Sequence, residues 1–486
     1  MLKTLFTQTN WSLLGTVYGF GIGFFVKMFL VNRVGAADFG LYTIGQGFQG
    51  AIATLIAFSV PTVIIKFLPK YINNDDREAA TLLSTKSLVF LLSVSFLAVA
   101  VMVAANSLIA KYIFHKEDLS TIIAVSSLYI PLSLYSLYIT SVYRSFLKIK
   151  EIILYGTLYN VTVRAVLTFI VYSFSTDIIY FLWIEIAAQI VSISLLTIHF
   201  RSDKMKLFDP SCLKKPLAEK EALLSFAKTM YSNSLVGFVG GYTMTFIMSI
   251  LLPAKLIGIF AILMTIAGLT NFLQSNINRV FAPIISTLVS REDYDQLSLL
   301  YKESTFVLNI MTIPFILAVV LFSKDILGLY GEEFSRYTFE LMILFLANYF
   351  SLMVGSSGMM MMMGGLEKEE LKLQIFQFLF TLVSSLIFLP LYGLVAAVFI
   401  RFASMFMINQ TQVYFIHKRF AIWPWDRYSY VMMGIFLGLL FVTFRYHTES
   451  FEIWEYLLYP AVLYILFFAI FHKKLIEVYR LVKSSR

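Results

Sequence analysis

Ionisable side chains inside long apolar segments are the residues of this sequence best suited to binding or chemistry. Arg164, Glu185 and Arg401 each lie several residues from the nearest polar boundary of such a segment. A charge in hydrocarbon is costly, so these groups usually face a cavity or a partner of opposite charge. Lys27 and Arg279 lie nearer the ends of their segments, where a long side chain reaches the polar interface more easily.

Arg164 and Glu185 are expected at similar depth, because their two apolar segments are joined by the short Phe174-Ser175-Thr176 connection. One interpretation is a buried ion pair that holds this helical hairpin together. The other is a cavity charge tuned by its partner, with Glu185 as a site for a coupling proton or sodium ion. The sequence leaves both interpretations open.

Arg401 differs, because no acidic residue lies at matching depth in the apolar segment before it. It is about seven residues from the outer end of its segment, or about 10 Å at the helical rise of roughly 1.5 Å per residue. That distance is long for a side chain to reach the interface. We therefore expect Arg401 to face a cavity.

Three amides form a weaker polar signal. Asn271, Gln274 and Asn278 have i, i+3, i+7 spacing and share one helix face. Amides suit sugar hydroxyls as ligands, but they also hydrogen-bond helices to each other inside membranes. Both roles stay open.

The composition identifies the class of protein that must position these residues. Of 486 residues, 59% are hydrophobic and 14% are charged, whereas soluble proteins carry about 25% charged residues. The single cysteine and five scattered histidines argue against a disulfide framework or a metal centre. The net charge of +9 is explained by basic cytoplasmic loops, without a nucleic-acid partner. The chain is predicted to be a polytopic membrane protein.

Apolar blocks of spanning length recur along the chain, and about 20 such residues make one transmembrane helix. They predict an all-α protein with about fourteen spans. The spans are placed at 11–31, 41–63, 86–109, 121–143, 152–173, 177–198, 223–250, 256–278, 303–322, 338–362, 370–391, 393–416, 428–445 and 453–471.

The loop charges predict the orientation of these spans. With a cytoplasmic N-terminus, the inner loops and tails hold 25 Lys and Arg residues and the outer loops hold seven. Basic residues concentrate on the cytoplasmic side. Both termini are therefore predicted to be cytoplasmic, and the first span is expected to be retained.

An internal repeat predicts the domain organisation. Residues 39–44 align with residues 257–262 at an offset of 218 residues. Parallel repeats place two bundles around an axis along the membrane normal, with a site between them. The predicted domains are an N-terminal six-helix bundle, a cytoplasmic linker, a C-terminal six-helix bundle, and a final helix pair with a basic tail: 1–200, 201–222, 223–419 and 420–486.

Several short motifs resemble a known family. The sequence resembles the polysaccharide-repeat (O-antigen/exopolysaccharide) flippases of the multidrug/oligosaccharidyl-lipid/polysaccharide exporter superfamily. The resemblance rests on Asn-Arg-Val-Gly-Ala-Ala-Asp-Phe-Gly-Leu-Tyr at 32–42, Ala-Pro-Ile-Ile-Ser at 282–286 with the acidic loop 291–293, and Thr-Ile-Pro-Phe at 312–315. It extends from the first span to about Lys418.

The resemblance implies a flippase that moves a polyprenyl-diphosphate-linked oligosaccharide from the cytoplasmic to the outer leaflet of the bacterial plasma membrane. It implies alternating access and a cationic central cavity. Several cations suit a diphosphate, since Arg grips phosphate bidentately. The expected cavity residues are Arg401, Arg164, Lys27, Arg279, Asn271, Gln274 and Asn278, with Glu185 as coupling site or charge partner. Besides the lipid-linked substrate and membrane lipids, candidate partners are a polysaccharide polymerase and glycosyltransferases.

Other functions compete with this interpretation. A cation-coupled multidrug exporter of the same superfamily would need an acid in its N-terminal bundle, and Glu185 supplies one. An integral-membrane glycosyltransferase or polymerase would usually need a large extramembrane loop, but the longest outer loop has only about fifteen residues. A non-transporting scaffold would not need buried charges. No phosphate-binding loop or catalytic carboxylate pair is found, so we expect a non-enzyme without cofactors, driven by H⁺ or Na⁺ or by a substrate gradient.

Overall fold

The computed structural model describes residues 2–217, 219–447 and 451–484, and the regular structure of these residues is entirely helical. Side chains are described there except at 2–10, 13, 233, 236–240, 272–273, 276, 279–280, 283, 479 and 481–484. The chain forms two compact units, Met1–Gly258 and Ile259–Arg486. The predicted all-α fold is confirmed, whereas the predicted domain boundaries stay predictions.

The first unit contains nine helices and the start of a tenth: α1 Leu2–Ile56, α2 Val60–Asn73, α3 Arg77–Leu108, α4 Leu119–Ser127, α5 Tyr129–Ser145, α6 Ile149–Glu151, α7 Tyr159–Val171, α8 Ile179–His199, α9 Lys220–Leu251 and α10 Ala254–Ala267. Two segments, Ile109–Ile113 and Ile152–Leu158, are π-helical. The second unit continues with α11 Asn271–Ser290, α12 Tyr294–Leu321, α13 Ser323–Gly328, α14 Thr338–Met353, α15 Ser357–Met363, α16 Glu367–Phe420, α17 Arg427–Arg445 and α18 Glu455–Ser484.

Two very long helices continue from one predicted span into the next across a glycine: α16 contains the predicted spans 370–391 and 393–416, and α1 contains 11–31 and most of 41–63. Helix α1 breaks at Gly35, with φ 80° and ψ 170°, and α16 breaks at Gly393, with φ 55° and ψ −128°. Glycine adopts such backbone angles at little cost because it has no Cβ atom. Each break therefore lets a nearly continuous helix change direction where the sequence predicts a connection between two spans.

Eight helical segments of the described residues are long and apolar enough to cross a bilayer. A ninth is added if Glu332–Met353 and Ser357–Met363, bent by 41°, form one span. The protein is a multi-pass integral membrane protein. The number fourteen and the cytoplasmic position of both termini stay predictions.

The predicted eighth and tenth spans are interrupted helices. A 3₁₀ turn, Gly268–Thr270, separates α10 from α11, and Asn348 Nδ2 donates to the Ala267 carbonyl oxygen (2.7 Å) beside it. Between α14 and α15, the carbonyls of Val354 and Gly355 accept from Tyr301 Oη (2.7 Å) and Gln274 Nε2 (3.0 Å). Inside a membrane, backbone groups that a helix break frees must find other partners. Side chains supply those partners here.

The polar segment between α8 and α9 is attached to the first unit. Backbone amides of Lys206 and Asp209 donate to Thr81 Oγ1 and Thr85 Oγ1 on α3, each at 3.1 Å. The Leu207 carbonyl accepts from Ser84 Oγ and Tyr138 Oη, each at 2.9 Å. This segment, predicted to be a cytoplasmic linker, therefore has a fixed position against α3 and α5.

Candidate functional site

The predicted Arg164–Glu185 pair forms in the first unit, between α7 and α8. Arg164 Nη1 lies 3.4 Å from Glu185 Oε1, and the two side chains are 27% and 12% exposed. A π-helical segment, Ile152–Leu158, directly precedes α7. Such wide turns rotate the residues that follow them and often occur at functional sites. The expected contact across the hairpin is present, but it does not by itself decide between a structural and a functional role.

Glu185 has further partners on α1 that the sequence analysis did not identify. Tyr42 Oη donates to Glu185 Oε1 at 2.9 Å, and Gln46 Nε2 donates to Glu185 Oε2 at 2.7 Å. Tyr42 and Gln46 are four residues apart and therefore share one face of α1. This spacing was the only feature of the sequence that could have predicted the two contacts to Glu185. Both carboxylate oxygens are thus hydrogen-bonded by neutral donors, and the guanidinium completes the set.

Lys27 belongs to the same cluster. It lies close enough to Arg164 and Glu185 to interact electrostatically with both. The cluster therefore contains two basic side chains and one acidic side chain. Arg164 Nε is buried and has no hydrogen-bond acceptor among the described residues. A buried donor without an acceptor costs free energy, so this atom is available to an anionic or polar ligand.

A second polar network lies one helical turn further along α8. Gln189 is buried, and its Oε1 accepts from Tyr129 Oη (3.1 Å) and Asn160 Nδ2 (2.9 Å). Gln189 follows Glu185 by four residues, so α8 presents both side chains on one face. Together the two networks extend a polar stripe through an otherwise apolar helix hairpin.

Arg401 lies on α16 in the second unit and is partly buried. Among the described residues it has no hydrogen bond or ion pair, as the absence of a nearby acid in the sequence suggested. The adjacent Phe402 ring packs against Phe350 with centroids 5.7 Å apart. A guanidinium here would benefit from an anionic partner.

The three predicted amides all lie on α11, but they have different surroundings. Asn271 is exposed, and Gln274 Nε2 is engaged by the Gly355 carbonyl oxygen at 3.0 Å. Asn278 Oδ1 is buried without a hydrogen-bond partner among the described residues. The side chain of Arg279 lies outside the described residues. The hydrogen bond to Gly355 thus gives Gln274 a structural role. Asn271 and the Asn278 Oδ1 atom have no such hydrogen bond among the described residues and could bind a ligand.

A buried carboxylate in the second unit was missed entirely. Glu370 on α16 is 7% exposed, and both its oxygens accept from Gln412 Nε2, at 3.1 and 3.0 Å. Ser357 Oγ donates to Gln412 Oε1 at 2.7 Å. The described residues offer Glu370 no cationic partner. The segment Glu-Lys-Glu-Glu at 367–370 resembles a solvated helix start. Only the tertiary packing, including the hydrogen bonds from Gln412, distinguishes Glu370 from its acidic neighbours.

No group of three or more potential metal ligands is found among the residues that the structure describes.

Comparisons with known proteins identify the fold and the family. The chain resembles an inward-closed lipid II flippase MurJ, with a TM-score of 0.70, 13% identity, and coverage of 96% of this chain and all of that one. It resembles an inward-facing multidrug resistance MATE transporter of the MOP superfamily, with a TM-score of 0.67, 13% identity and coverage of 82% and 94%. A MOP superfamily transporter from Pyrococcus furiosus gives a TM-score of 0.57 at 13% identity, covering 84% and 94%. No curated protein sequence matches the chain significantly.

These structural relatives are transporters, and at 13% identity they show the fold alone. The family follows from sequence, because a model described as "Polysaccharide biosynthesis protein" matches residues 5–289, more than half of the chain. The predicted resemblance is confirmed. This chain belongs to the polysaccharide biosynthesis protein family and has the fold of a MOP superfamily transporter.

Proposed function

We propose that the protein is a flippase that moves a polyprenyl-diphosphate-linked oligosaccharide from the cytoplasmic to the outer leaflet of the plasma membrane. The observation that carries the proposal is the cluster of Lys27, Arg164 and Glu185 in the first unit, where basic side chains outnumber the acidic one. The buried Arg164 Nε still lacks an acceptor among the described residues. An excess of positive charge with an unused donor suits a diphosphate.

Transport by alternating access gives the individual residues their proposed roles. Arg164 and Lys27 attract the diphosphate, and Arg401 supplies a further cation. Asn271 and Asn278 hydrogen-bond the sugar, whose hydroxyls need partners once they leave water. Glu185 holds Arg164 in position when the substrate is absent. A coupling H⁺ or Na⁺ would act by changing the charge of this cluster.

The alternative is a cation-coupled multidrug exporter, since a MATE transporter shares the fold. A drug cation would need an acidic residue with free oxygens. Glu185 is the acid available in this cluster, and both its oxygens already accept hydrogen bonds from Tyr42 and Gln46. Its charge is further offset by Arg164. These contacts favour the anionic substrate.

A gene-deletion strain tests the proposal. We expect diphosphate-linked oligosaccharide to accumulate on the carrier lipid while surface glycan is lost, and both effects to be reversed by the wild-type gene. Arg401→Glu should fail to complement. Arg336→Glu is the control for charge reversal, because Arg336 is an exposed arginine that has no proposed role in binding. Normal glycan with increased sensitivity to cationic drugs would instead identify a multidrug exporter and would contradict the flippase.

A further inference from the structure

The first unit contains a large apolar cavity apart from the charged cluster. It has a volume of about 560 Å³ and lies among α2, α3 and α9. Pockets that hold small organic ligands typically measure about 300–1,000 Å³. Its walls are mostly aliphatic and aromatic, with contributions from Val63, Leu83, Phe90 and Leu224. A cavity with such walls suits a hydrocarbon chain.

Two lysines give the cavity a positive rim. Lys86 on α3 and Lys220 at the start of α9 both line it. Neither has a hydrogen bond or an ion pair among the described residues. Glu219, next to Lys220, is already paired with Lys70 at 2.6 Å. The cavity thus combines apolar walls with two lysines that form no ion pair within the described part of the chain.

Nearby residues add to this positive character. Lys66, one turn along α2 from Val63, places its ammonium 3.7 Å from the centroid of the Phe226 ring, next to the cavity residue Ala227. Lys66 is exposed, so its charge remains available at the surface. A cation over an aromatic ring keeps its charge while losing little hydration.

The cavity lies toward the predicted cytoplasmic side. Lys220 begins α9, directly after the linker, and Lys86 is nine residues from the start of α3 at Arg77. At about 1.5 Å per residue, Lys86 is roughly 13 Å from that helix end, within the depth of one leaflet. Basic pockets between helices on the cytoplasmic side are typical binding sites for anionic lipid headgroups.

One wall of the cavity is formed by a strained connection. Phe58, which lines the cavity, and the adjacent Ser59 have φ values of 45° and 55° between α1 and α2. The Phe58 ring packs on Tyr231 of α9 with centroids 4.8 Å apart. Left-handed backbone at two successive residues other than glycine is costly, and it persists where the surroundings fix it. A ligand that packs against Phe58 would stabilise this connection.

We propose that this cavity binds an anionic phospholipid of the cytoplasmic leaflet. One acyl chain fills the space lined by Val63, Leu83 and Phe90, and the phosphate group binds to Lys86 and Lys220. The lipid joins α2, α3 and α9 at their cytoplasmic ends. This role is independent of the transported substrate, because the cavity shares no residue with the Lys27, Arg164 and Glu185 cluster.

Native mass spectrometry of the full-length protein tests the site. The purified protein is titrated with phosphatidylglycerol, with phosphatidylcholine of the same acyl chains, and with glycerol phosphate. We expect one phosphatidylglycerol molecule to be retained preferentially. Lys86→Met with Lys220→Met should weaken its binding roughly tenfold or more, because each lysine near an anionic headgroup contributes separately. Binding of phosphatidylcholine should not change.

Two matched controls accompany this variant. Lys368→Met with Lys372→Met removes two exposed lysines at the start of α16 and should leave phosphatidylglycerol binding unchanged. Ala227→Phe fills the cavity and should weaken both phospholipids, whereas Ala222→Phe on the exposed side of α9 should not. The lysine variants keep the apolar walls, so they remain informative if Ala227→Phe does not fold.

Three results would overturn the proposal. The first is wild-type affinity for phosphatidylglycerol in the double lysine variant. The second is equally tight binding of one of the two comparison ligands. With phosphatidylcholine it would show that the negative charge is not recognised, and with free glycerol phosphate it would show that the acyl chain is not needed. The third is preferential binding of a polyprenyl diphosphate, which would make the cavity part of the substrate path.

Discussion

At the scale of single residues, the environment of Glu185 determines how the charged cluster behaves. Its carboxylate contacts α1 through Tyr42 and Gln46 and α7 through Arg164. Contacts to two different helices make Glu185 a connection within the first unit as well as a counter-charge. Structural and functional roles therefore predict different responses to mutation.

We expect Tyr42→Phe to lower the free energy of unfolding by about 1.5–3 kcal/mol. The change deletes a 2.9 Å hydrogen bond to the carboxyl group that pairs with Arg164, and it leaves the ring in place. Unfolding of the purified protein in detergent measures the difference. Tyr135→Phe is a control in the same unit, because Tyr135 bonds to the neutral Thr197 hydroxyl at 2.8 Å and should cost less. Equal losses in both variants would argue against an ionised Glu185.

Transport assays of Arg164→Ala separate the two roles of the pair. If the pair is only structural, Glu185→Ala should restore export to the Arg164→Ala variant, because no charge is then left alone. If Arg164 binds substrate, the double variant should remain inactive while its expression recovers. We expect the second result, measured as surface glycan in the deletion strain.

At the scale of helices, close backbone packing joins α1 and α10 within the first unit. A Cβ atom on Gly40 would lie 1.8 Å from the Ala254 carbonyl oxygen, and one on Gly258 would lie 2.1 Å from the Ala36 carbonyl oxygen. These two glycines are equivalent positions of the internal repeat. A backbone oxygen cannot move aside as a flexible side chain can.

Gly40→Ala and Gly258→Ala should each strongly reduce the yield of folded protein, with a loss of at least 1–3 kcal/mol, typical of overpacking. Gly47→Ala is the matched control on α1, since no atom lies within 4 Å of its added Cβ. It should be neutral or stabilising, because alanine favours helices. Fluorescence-detected size-exclusion chromatography compares the three, and a normal elution profile for Gly40→Ala would contradict the packing.

The C-terminal helix α18 is held by one buried lysine in the second unit. Lys474 Nζ lies 2.5 Å from Glu303 Oε1 on α12, 3.4 Å from Asp426 Oδ2 beside α17, and 3.5 Å from Glu477 Oε2. Its side chain is only 6% exposed. Burial disfavours the charged form, but these carboxylates outweigh that effect and raise the pKa of Lys474. The lysine therefore stays charged at physiological pH.

Lys474→Met should destabilise the protein by about 3–5 kcal/mol, because it leaves the nearly buried Glu303 without its cation. Thermal unfolding of the purified protein measures the loss. Lys473→Met changes the exposed neighbouring lysine and should have little effect. Adding Glu303→Met to Lys474→Met should recover part of the lost stability. If nothing is recovered, the ion pair between Lys474 and Glu303 is not the main contribution of Lys474 to stability.

Because the pKa of Lys474 is raised, its stabilising contribution is complete below the ordinary lysine pKa of 10.5. The contribution is lost as the pH rises through the higher folded-state value. Lys474 is therefore expected to keep its full stabilising contribution near neutral pH. Alkaline unfolding should be less steep in Lys474→Met than in the wild type.

At the scale of the whole molecule, the predicted topology places both termini and the linker in the cytoplasm. The only cysteine, Cys212, is buried in that linker, so Cys212→Ser provides a background for labelling. In intact cells, a membrane-impermeant maleimide should label Phe174→Cys, which lies 90% exposed between α7 and α8. It should not label Asp203→Cys until the cells are opened. The reverse pattern would invert the topology.

The sequence by itself determined that the protein is an all-helical membrane protein, and it identified candidate site residues. Span length, loop charge and intramembrane ionisable groups are local properties, so they can be counted along the chain. The hinge at Gly393 falls at the boundary between the predicted spans 370–391 and 393–416. Arg164 and Glu185 could be paired because a short loop fixes their relative depth. Local rules failed where helices break, as at Gly268–Thr270, because partners far away in sequence stabilise the break.

Only the tertiary structure decided which side chains from distant helices meet. Tyr42 reaches Glu185 across 143 residues, and Glu370 is distinguished from its acidic neighbours only by the buried Gln412. The lysine-rimmed cavity likewise requires α2, α3 and α9 to pack around a common space. Such contacts depend on how the helices rotate and pack against each other. The sequence of each single helix is compatible with many such arrangements, so it does not predict which contacts form.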